Sequence, residues 1–303
     1  MAHEGSTKAI IAALLANLGI AIAKFIGYLV SGAASMLAES VHSLADTTNQ
    51  FLLIIGGKQA RKAASEEHPF GYGRSRYVFA FIVSVVLFTV GGMFSIYEGI
   101  DKLQHPHELE NIWVPVAVLI VGLLLEGFSL ATAIRESRPL KGNRNWFQII
   151  RRAKAPELPV VLLEDTAAEL GLLFALLGVG LSTITGNPMW DAIATLALGG
   201  LLVLVAIILG LEMASLLIGE GASKAEVYKI RKALASADGV EGVIHLKTLY
   251  LGPDELMLAA KIGVKKNATG LEIAQTIDAA EAAVREELPI TRVLYLEPDI
   301  PRG

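Results

Sequence analysis

The chain of 303 residues contains no cysteine, and only 18% of its residues are charged. The absence of cysteine excludes disulfide bonds, thiolate zinc sites and cysteine nucleophiles. No G-x-x-x-x-G-K-[ST] sequence occurs, which argues against a P-loop ATPase. The net charge of −4 provides no basic surface, so we expect no nucleic-acid partner.

Apolar residues are abundant instead: they make up 53% of the chain, and the mean hydropathy is +0.53. The few charged residues collect in two loops and in the C-terminal part of the chain. This division predicts an integral membrane protein with a transmembrane domain at 1–217 and a small water-soluble domain at 218–303.

Six segments are long and apolar enough to cross a bilayer as helices, which takes about 20 residues. We place them at 8–30, 35–57, 77–100, 112–134, 158–184 and 188–215.

Basic residues predict the orientation of these spans, because loops rich in Lys and Arg remain on the cytoplasmic side. The loops after the second and fourth spans are basic, whereas the connections at 31–34 and 185–187 contain no Lys or Arg. We therefore expect both termini in the cytoplasm and, because no targeting segment precedes the first span, a location in a cell (inner) membrane. The stretch 137–157 fits an interfacial segment and a plain polar loop equally well.

The C-terminal part has the pattern of a small α+β domain. Helices are predicted at 223–236 and 269–288, and strands at 240–251, 256–264 and 291–296. The order αββαβ suits a small antiparallel or mixed sheet with helices on one face.

Polar side chains inside the second and fifth spans are the strongest functional signal. His42 and Asp46 are four residues apart and share one helix face, as do Asp165 and Glu169. Such acids would cost on the order of 10 kcal/mol if they faced lipid. If the two pairs face each other, one imidazole and three carboxylates form a tetrahedral set suited to Zn²⁺. The alternative is that they join helices through hydrogen bonds.

Other intramembrane polar residues have less certain roles. Glu39 and Glu164 are weaker candidates for metal ligation, since each can instead lie at a helix end or bond to a neighbour. Glu126 in the fourth span either pairs with Lys24 or belongs to a proton path, and the sequence leaves both open. Asn17 is interpreted as a contact between helices.

Two segments resemble the cation diffusion facilitator family of metal/proton antiporters: AESVHSLADTTNQ at 38–50 and HPFGYGR at 68–74. Asn17 with Lys24 in the first span adds to the resemblance, which extends over essentially the whole chain. It implies a multi-pass α-helical membrane protein with six transmembrane helices and a C-terminal cytoplasmic ferredoxin-like domain. It also implies a homodimer formed through that domain.

The resemblance also implies a transport site made by two residues of the second span and two of the fifth. His42 and Asp46 match the first pair, and Asp165 matches one member of the second. The position four residues before Asp165 is Val161, which cannot bind metal. We expect Glu169 to supply the missing ligand, with Glu164 as the alternative.

Family members with further metal sites have them in the loop after the second span and in the cytoplasmic domain. The loop of this chain keeps His68 near Glu66 and Glu67, but Tyr72 stands where a second His is often found. The C-terminal domain contains a single histidine, His245. We therefore expect a weak loop site at most, no histidine-built regulatory site, and dimerisation that does not depend on metal.

These observations predict a secondary active transporter rather than an enzyme. We expect it to export divalent metal, with Zn²⁺ as the substrate rather than a cofactor, by alternating access and exchange for protons. His42 would be the natural exchange group, because histidine ordinarily titrates near neutral pH. The alternatives are transport of Mn²⁺, Fe²⁺ or Co²⁺, a membrane metal sensor that does not transport, and a membrane metalloenzyme.

Overall fold

The computed structural model describes residues 2–141 and 145–300. The side chains of residues 2–16, 139–141, 147 and 152 lie outside this description. The side chains at the start of the predicted first span are therefore among those that the structure does not describe.

Helices occupy the described chain up to residue 218. They are α1 (Ala2–Ser31), α2 (Ala34–Ala60), α3 (Ser75–Val86), α4 (Phe94–Gln104), α5 (Trp113–Lys141), α6 (Trp146–Arg152), α7 (Glu157–Thr185) and α8 (Met189–Ile218). A π-helical segment, Leu87–Met93, connects α3 to α4.

The chain forms two compact units. The first comprises the described residues up to Gly57 together with Val78–Met213. The second comprises Lys58–Tyr77 together with the described residues from Ala214 onward. The loop after α2 therefore groups with the C-terminal residues.

Four helical stretches of the described chain are long and apolar enough to cross a membrane. They are Ser75–Gln104, Trp113–Arg138, Glu157–Thr185 and Met189–Ile218. The described part of α1, Asn17–Ser31, is also apolar, whereas the polar residues of the predicted site lower the hydropathy of α2. The multi-pass helical prediction is thus confirmed, but six spans remain a prediction.

Glycine allows very close packing of α8 against the helix that contains the π-helical segment. A Cβ on Gly199 would lie 2.8 Å from the backbone nitrogen of Ile96 and 3.1 Å from the carbonyl oxygen of Gly92. A Cβ on Gly92 would lie 3.0 Å from the backbone nitrogen of Val203. Small residues at such contacts let membrane helices approach closely and gain van der Waals contact.

A buried ion pair ties α1 to α2. The Lys24 Nζ donates to Glu39 Oε2 at 2.7 Å and to Ser43 Oγ at 2.8 Å, and the Lys24 and Glu39 side chains are fully buried. This contact also answers a question that the sequence left open, because Lys24 pairs with Glu39 rather than with Glu126.

The stretch between α5 and α7, for which the sequence left two interpretations open, contains the short helix α6. Its N-terminus is capped reciprocally by Asn145 and Gln148. Such a capping box satisfies backbone N–H groups that have no partner within the helix.

The second unit contains α9 (Lys224–Ser236), β1 (Gly242–Gly252), β2 (Glu255–Gly263), α10 (Gly270–Glu287) and β3 (Thr291–Asp299). β1 and β2 are antiparallel and joined by a tight turn, and β2 and β3 are parallel, so the sheet is mixed with the order β1-β2-β3. The predicted αββαβ order is confirmed. A hydrophobic core cluster lies between the sheet and the helices α9 and α10, and it includes Ile230, Leu258 and Val284.

The conspicuous HPFGYGR stretch packs against the turn between β1 and β2. A Cβ on Gly73 would lie 2.7 Å from the carbonyl oxygen of Leu251. Arg76 Nη1 lies 2.9 Å from Asp254 Oδ2 in the same turn. Glycine is needed at position 73 because the two backbones approach so closely.

We predict that Gly199→Ala lowers the thermal stability of the purified chain, whereas Gly200→Ala does not. The added methyl group at position 199 meets backbone atoms, and overpacking of this kind costs about 1–3 kcal/mol. A Cβ on Gly200 meets nothing within 4 Å. Thermal unfolding in detergent compares the two variants; equal stabilities would contradict the close packing.

We also predict that Lys24→Met and Glu39→Gln each destabilise the chain strongly, and that the double variant loses less than the sum. Removal of one partner of a buried ion pair costs about 3–5 kcal/mol, because the other charge is left without compensation. Thermal unfolding of the four proteins gives the coupling energy. Lys58→Met, on an exposed side chain of α2, is the control, and additive losses would contradict the pairing.

Candidate functional site

A polar pocket lies between α2, α5 and α7, with Asn17 of α1 at its wall. It is small, with a cavity volume of about 30 Å³. The residues that line it are polar or acidic: Asn17, Ser43, Asp46, Gln50, Glu126, Ser129, Glu164 and Asp165. Two of the predicted ligands, Asp46 and Asp165, therefore share this pocket, together with the alternative ligand Glu164.

The α2 face of the pocket follows helical spacing. Ser43, Asp46 and Gln50 recur at intervals of three and four residues, so they lie on one stripe. His42 is fully buried behind Asp46, with its Nε2 atom 3.4 Å from Asp46 Oδ2. The other ring nitrogen lies 3.9 Å from the position that a Cβ would take on Gly91 of the π-helical segment. His42 thus connects the pocket to a kind of helical irregularity that is frequent at functional sites.

The α7 face presents two adjacent acids, and each is held by a neighbouring helix. Asn49 Nδ2 donates to Glu164 Oε1 at 2.7 Å. Ser129 Oγ of α5 donates to Asp165 Oδ2 at 3.0 Å. These donors orient the two carboxylates and leave their negative charge in place, because an amide and a hydroxyl are neutral.

Like His42, the predicted site residues Glu39 and Glu169 lie outside the pocket lining. Glu169 is one turn beyond Asp165, and its carboxylate lies beside α5, 3.5 Å from the position that a Cβ would take on Gly127. Glu39 is held by Lys24 through one oxygen, and its other oxygen packs against Gly171 of α7.

The loop candidate His68 belongs to the second unit. Its ring stacks on the ring of Tyr72 at a centroid distance of 4.4 Å. Its backbone N–H and carbonyl both pair with Ser65, which closes a tight turn. These contacts give His68 a structural role in the loop, whether or not it binds metal.

The acids of the pocket lie near one another but do not converge on a single metal-binding position. Across residues 2–141 and 145–300, no three His, Asp or Glu side chains are arranged to hold a metal ion directly. Several polar atoms beside the pocket are nevertheless buried without a hydrogen-bond partner in the described structure, among them both ring nitrogens of His42 and Asp46 Oδ1. Buried polar atoms of this kind call for a ligand or for water. Side-chain rotations would be needed to place several carboxylates on one cation.

Three features of the site were missed by the sequence analysis: the place of Glu126 in the pocket, and the donors Asn49 and Ser129. Ser129 follows Glu126 by three residues, so both lie on one face of α5, and this spacing could have indicated a shared polar wall. The donor role of Asn49 had no such signal, because it depends on how α2 and α7 face each other.

Comparisons with known proteins agree on one family. Residues 10–218 match the cation efflux transmembrane domain, and residues 222–296 match the cation efflux protein, cytoplasmic domain. The chain is 32% identical over 262 residues to the proton-coupled zinc antiporter SLC30A9, mitochondrial, of Mus musculus. This match covers 86% of this chain and 46% of the relative. It is 32% identical over 263 residues to metal tolerance protein C4 of Arabidopsis thaliana, covering 86% and 57%.

A solved structure of a MamM-CTD variant matches at 29% identity with a TM-score of 0.25, covering 26% of this chain and 95% of that one. The chain spans about half the length of the curated relatives named above. The transmembrane match extends over more than half of the chain, and both matched domains occur in the order that the sequence motifs suggested. This multi-pass membrane protein therefore belongs to the cation efflux family, the cation diffusion facilitators.

Proposed function

We propose that this protein is a proton-coupled antiporter that exports divalent metal cations, Zn²⁺ first among them, from the cytoplasm by alternating access. The observation that carries the proposal is the pocket in which Asp46 of α2 meets Glu164 and Asp165 of α7. The relatives named proton-coupled zinc antiporter support both the cation and the coupling.

The charge of the pocket explains why metal and protons exchange there. Two like charges 4 Å apart repel by about 4 kcal/mol at an effective dielectric constant of 20. The clustered carboxylates therefore retain protons or share a cation. Ligands must lose their protons to bind metal, so entry of a divalent cation releases protons, and an inward proton gradient drives its expulsion.

We propose His42, Asp46 and Asp165 as ligands, with the fourth from Glu164 rather than Glu169. The pocket supports Glu164 over Glu169, because Glu164 lines it beside Asp165 and Glu169 does not. His42 also lies outside the lining, but its Nε2 atom is 3.4 Å from Asp46 Oδ2 at the pocket wall. Imidazole together with carboxylates suits Zn²⁺, and an oxygen-rich set also admits Mn²⁺, Fe²⁺ or Co²⁺. The transport assay therefore includes these ions.

The larger organisation is part of the same proposal. We place the transmembrane domain with six spans at 1–217 and the cytoplasmic domain at 218–303, with both termini in the cytoplasm and the protein in a cell membrane. The helices cover one face of the three-stranded sheet, and Ile244 and Tyr295 are exposed. These exposed apolar side chains support a homodimer formed through this domain, without metal as a switch.

The alternative from another class is a membrane metal sensor that binds the cation without moving it. A sensor would use the same acids, so binding alone does not distinguish the two. Flux that depends on a pH gradient does.

We predict that proteoliposomes containing the protein accumulate Zn²⁺ only under an imposed pH gradient, and that Asp46→Asn and Asp165→Asn abolish this uptake. Both substitutions keep the side-chain shape and remove a charge that the cation needs. Asp101→Asn, at an exposed aspartate of α4, is the matched control and should transport normally. Binding of Zn²⁺ with no gradient-driven flux of Zn²⁺, Mn²⁺, Fe²⁺ or Co²⁺ would favour the sensor.

We further predict that Glu164→Gln abolishes Zn²⁺ uptake, whereas Glu169→Gln retains most of it. Gln keeps the acceptor that Asn49 uses, so the loss at position 164 would report the missing charge rather than a missing hydrogen bond. Initial uptake rates and the dissociation constant for Zn²⁺ are measured for each variant. The reverse result would return the fourth ligand to Glu169, as helical spacing with Asp165 suggests.

A further inference from the structure

The fourth predicted span contributes an acid to the pocket for which the two-helix transport site has no role. Glu126 of α5 lines the same pocket as Asp46, Glu164 and Asp165. Three residues later, Ser129 on the same helix face holds Asp165. The α5 helix therefore forms a third wall of the pocket.

The position of Glu126 is central among the intramembrane acids. Its charge acts on Asp46 and Glu39 of α2 and on Asp165 and Glu169 of α7. Because Glu126 lines the pocket between these two helices, a rotation of its side chain could bring its carboxylate to a cation held by either face.

The most obvious structural role for Glu126, an ion pair with Lys24, is already excluded. Lys24 is engaged by Glu39 and Ser43. Among the residues whose side chains are described, no hydrogen bond or ion pair engages the Glu126 carboxylate. An intramembrane acid without a protein partner that faces a polar pocket is a functional group by default.

A second observation indicates that this pocket receives a ligand. His42 is fully buried, neither of its ring nitrogens has a hydrogen-bond partner in the described structure, and Nε2 points toward Asp46 at the pocket wall. Asp46 Oδ1 is likewise buried without a partner. A cation at this wall would satisfy His42 Nε2 and Asp46 Oδ1 and attract the acid of α5.

Resting on the transport function proposed above, we infer that Glu126 is a direct ligand of the transported divalent cation, which makes the binding site a three-helix site of α2, α5 and α7. Its carboxylate raises the oxygen content of the site, with His42 as the single nitrogen ligand. Oxygen-rich sites suit Mn²⁺ and Fe²⁺ as well as Zn²⁺. Glu126 is therefore also a residue that tunes metal preference.

The test is calorimetric titration of the purified full chain in detergent with Zn²⁺ alone. Glu126→Gln should raise the dissociation constant at least about tenfold, in the range found when support of a metal site is removed. Glu126→Asp keeps the charge with a shorter reach and should give a smaller increase. Glu136→Gln, at an exposed acid on the same helix, should remain within about twofold of the unsubstituted chain, the scatter expected of surface substitutions.

A thermal-unfolding measurement with and without Zn²⁺ separates ligation from folding. Without metal, Glu126→Gln should unfold near the temperature of the unsubstituted chain. It should gain less stability when Zn²⁺ is added, because stabilisation by a ligand rises with the logarithm of its affinity. If Glu126→Gln does not fold, Glu126→Asp decides the question. An unchanged dissociation constant in the variant that folds would overturn the inference.

The two proposals fail in different ways. If the chain shows gradient-driven flux and Glu126→Gln binds Zn²⁺ normally, the antiporter stands and the three-helix site falls. If flux is absent but Zn²⁺ binding depends on Glu126, the site stands and the antiporter falls.

Discussion

Acidic side chains inside a membrane protein need compensation, and this requirement organises the first unit. An ionised acid at the bilayer centre costs about 2.5–3.5 kcal/mol on insertion scales. Lys24 of α1 offsets the charge of Glu39 of α2 through Oε2, since both side chains are buried and paired. Asn49 of α2 compensates Glu164 of α7 in part, through one neutral hydrogen bond. Polar contacts of this kind link α1 to α2 and α2 to α7.

Compensation is incomplete at the pocket, where we have proposed the transport site. The neutral donor Ser129 orients Asp165 without cancelling its charge. Lys24, which could otherwise neutralise an acid of the pocket, is already engaged by Glu39. The remaining negative charge therefore favours a mobile partner, either protons or a divalent cation, and competition between the two is the basis of the exchange that we propose.

Much of the fold follows from patterns that a sequence displays directly. Long apolar runs predict membrane helices. The αββαβ order of the C-terminal unit follows from the periodicity of its apolar residues and from the turn that contains Asp254. The parallel pairing of β2 with β3 could not be read in the same way, since a mixed sheet and an antiparallel sheet have similar local patterns. The grouping of Lys58–Tyr77 with the C-terminal unit likewise could not be predicted from the sequence, because it depends on the backbone contact at Gly73.

The sequence by itself determined that His42 shares a helix face with Asp46, and Asp165 with Glu169, because helical spacing fixes which side chains lie together. The tertiary structure alone decided their partners. The orientation of α7 about its axis places Glu164 in the pocket with Asp165 and places Glu169 beside α5. The position of α5 next to the pocket adds Glu126. Residue spacing along one helix cannot reveal which acids line the pocket, since that depends on the relative orientation of neighbouring helices.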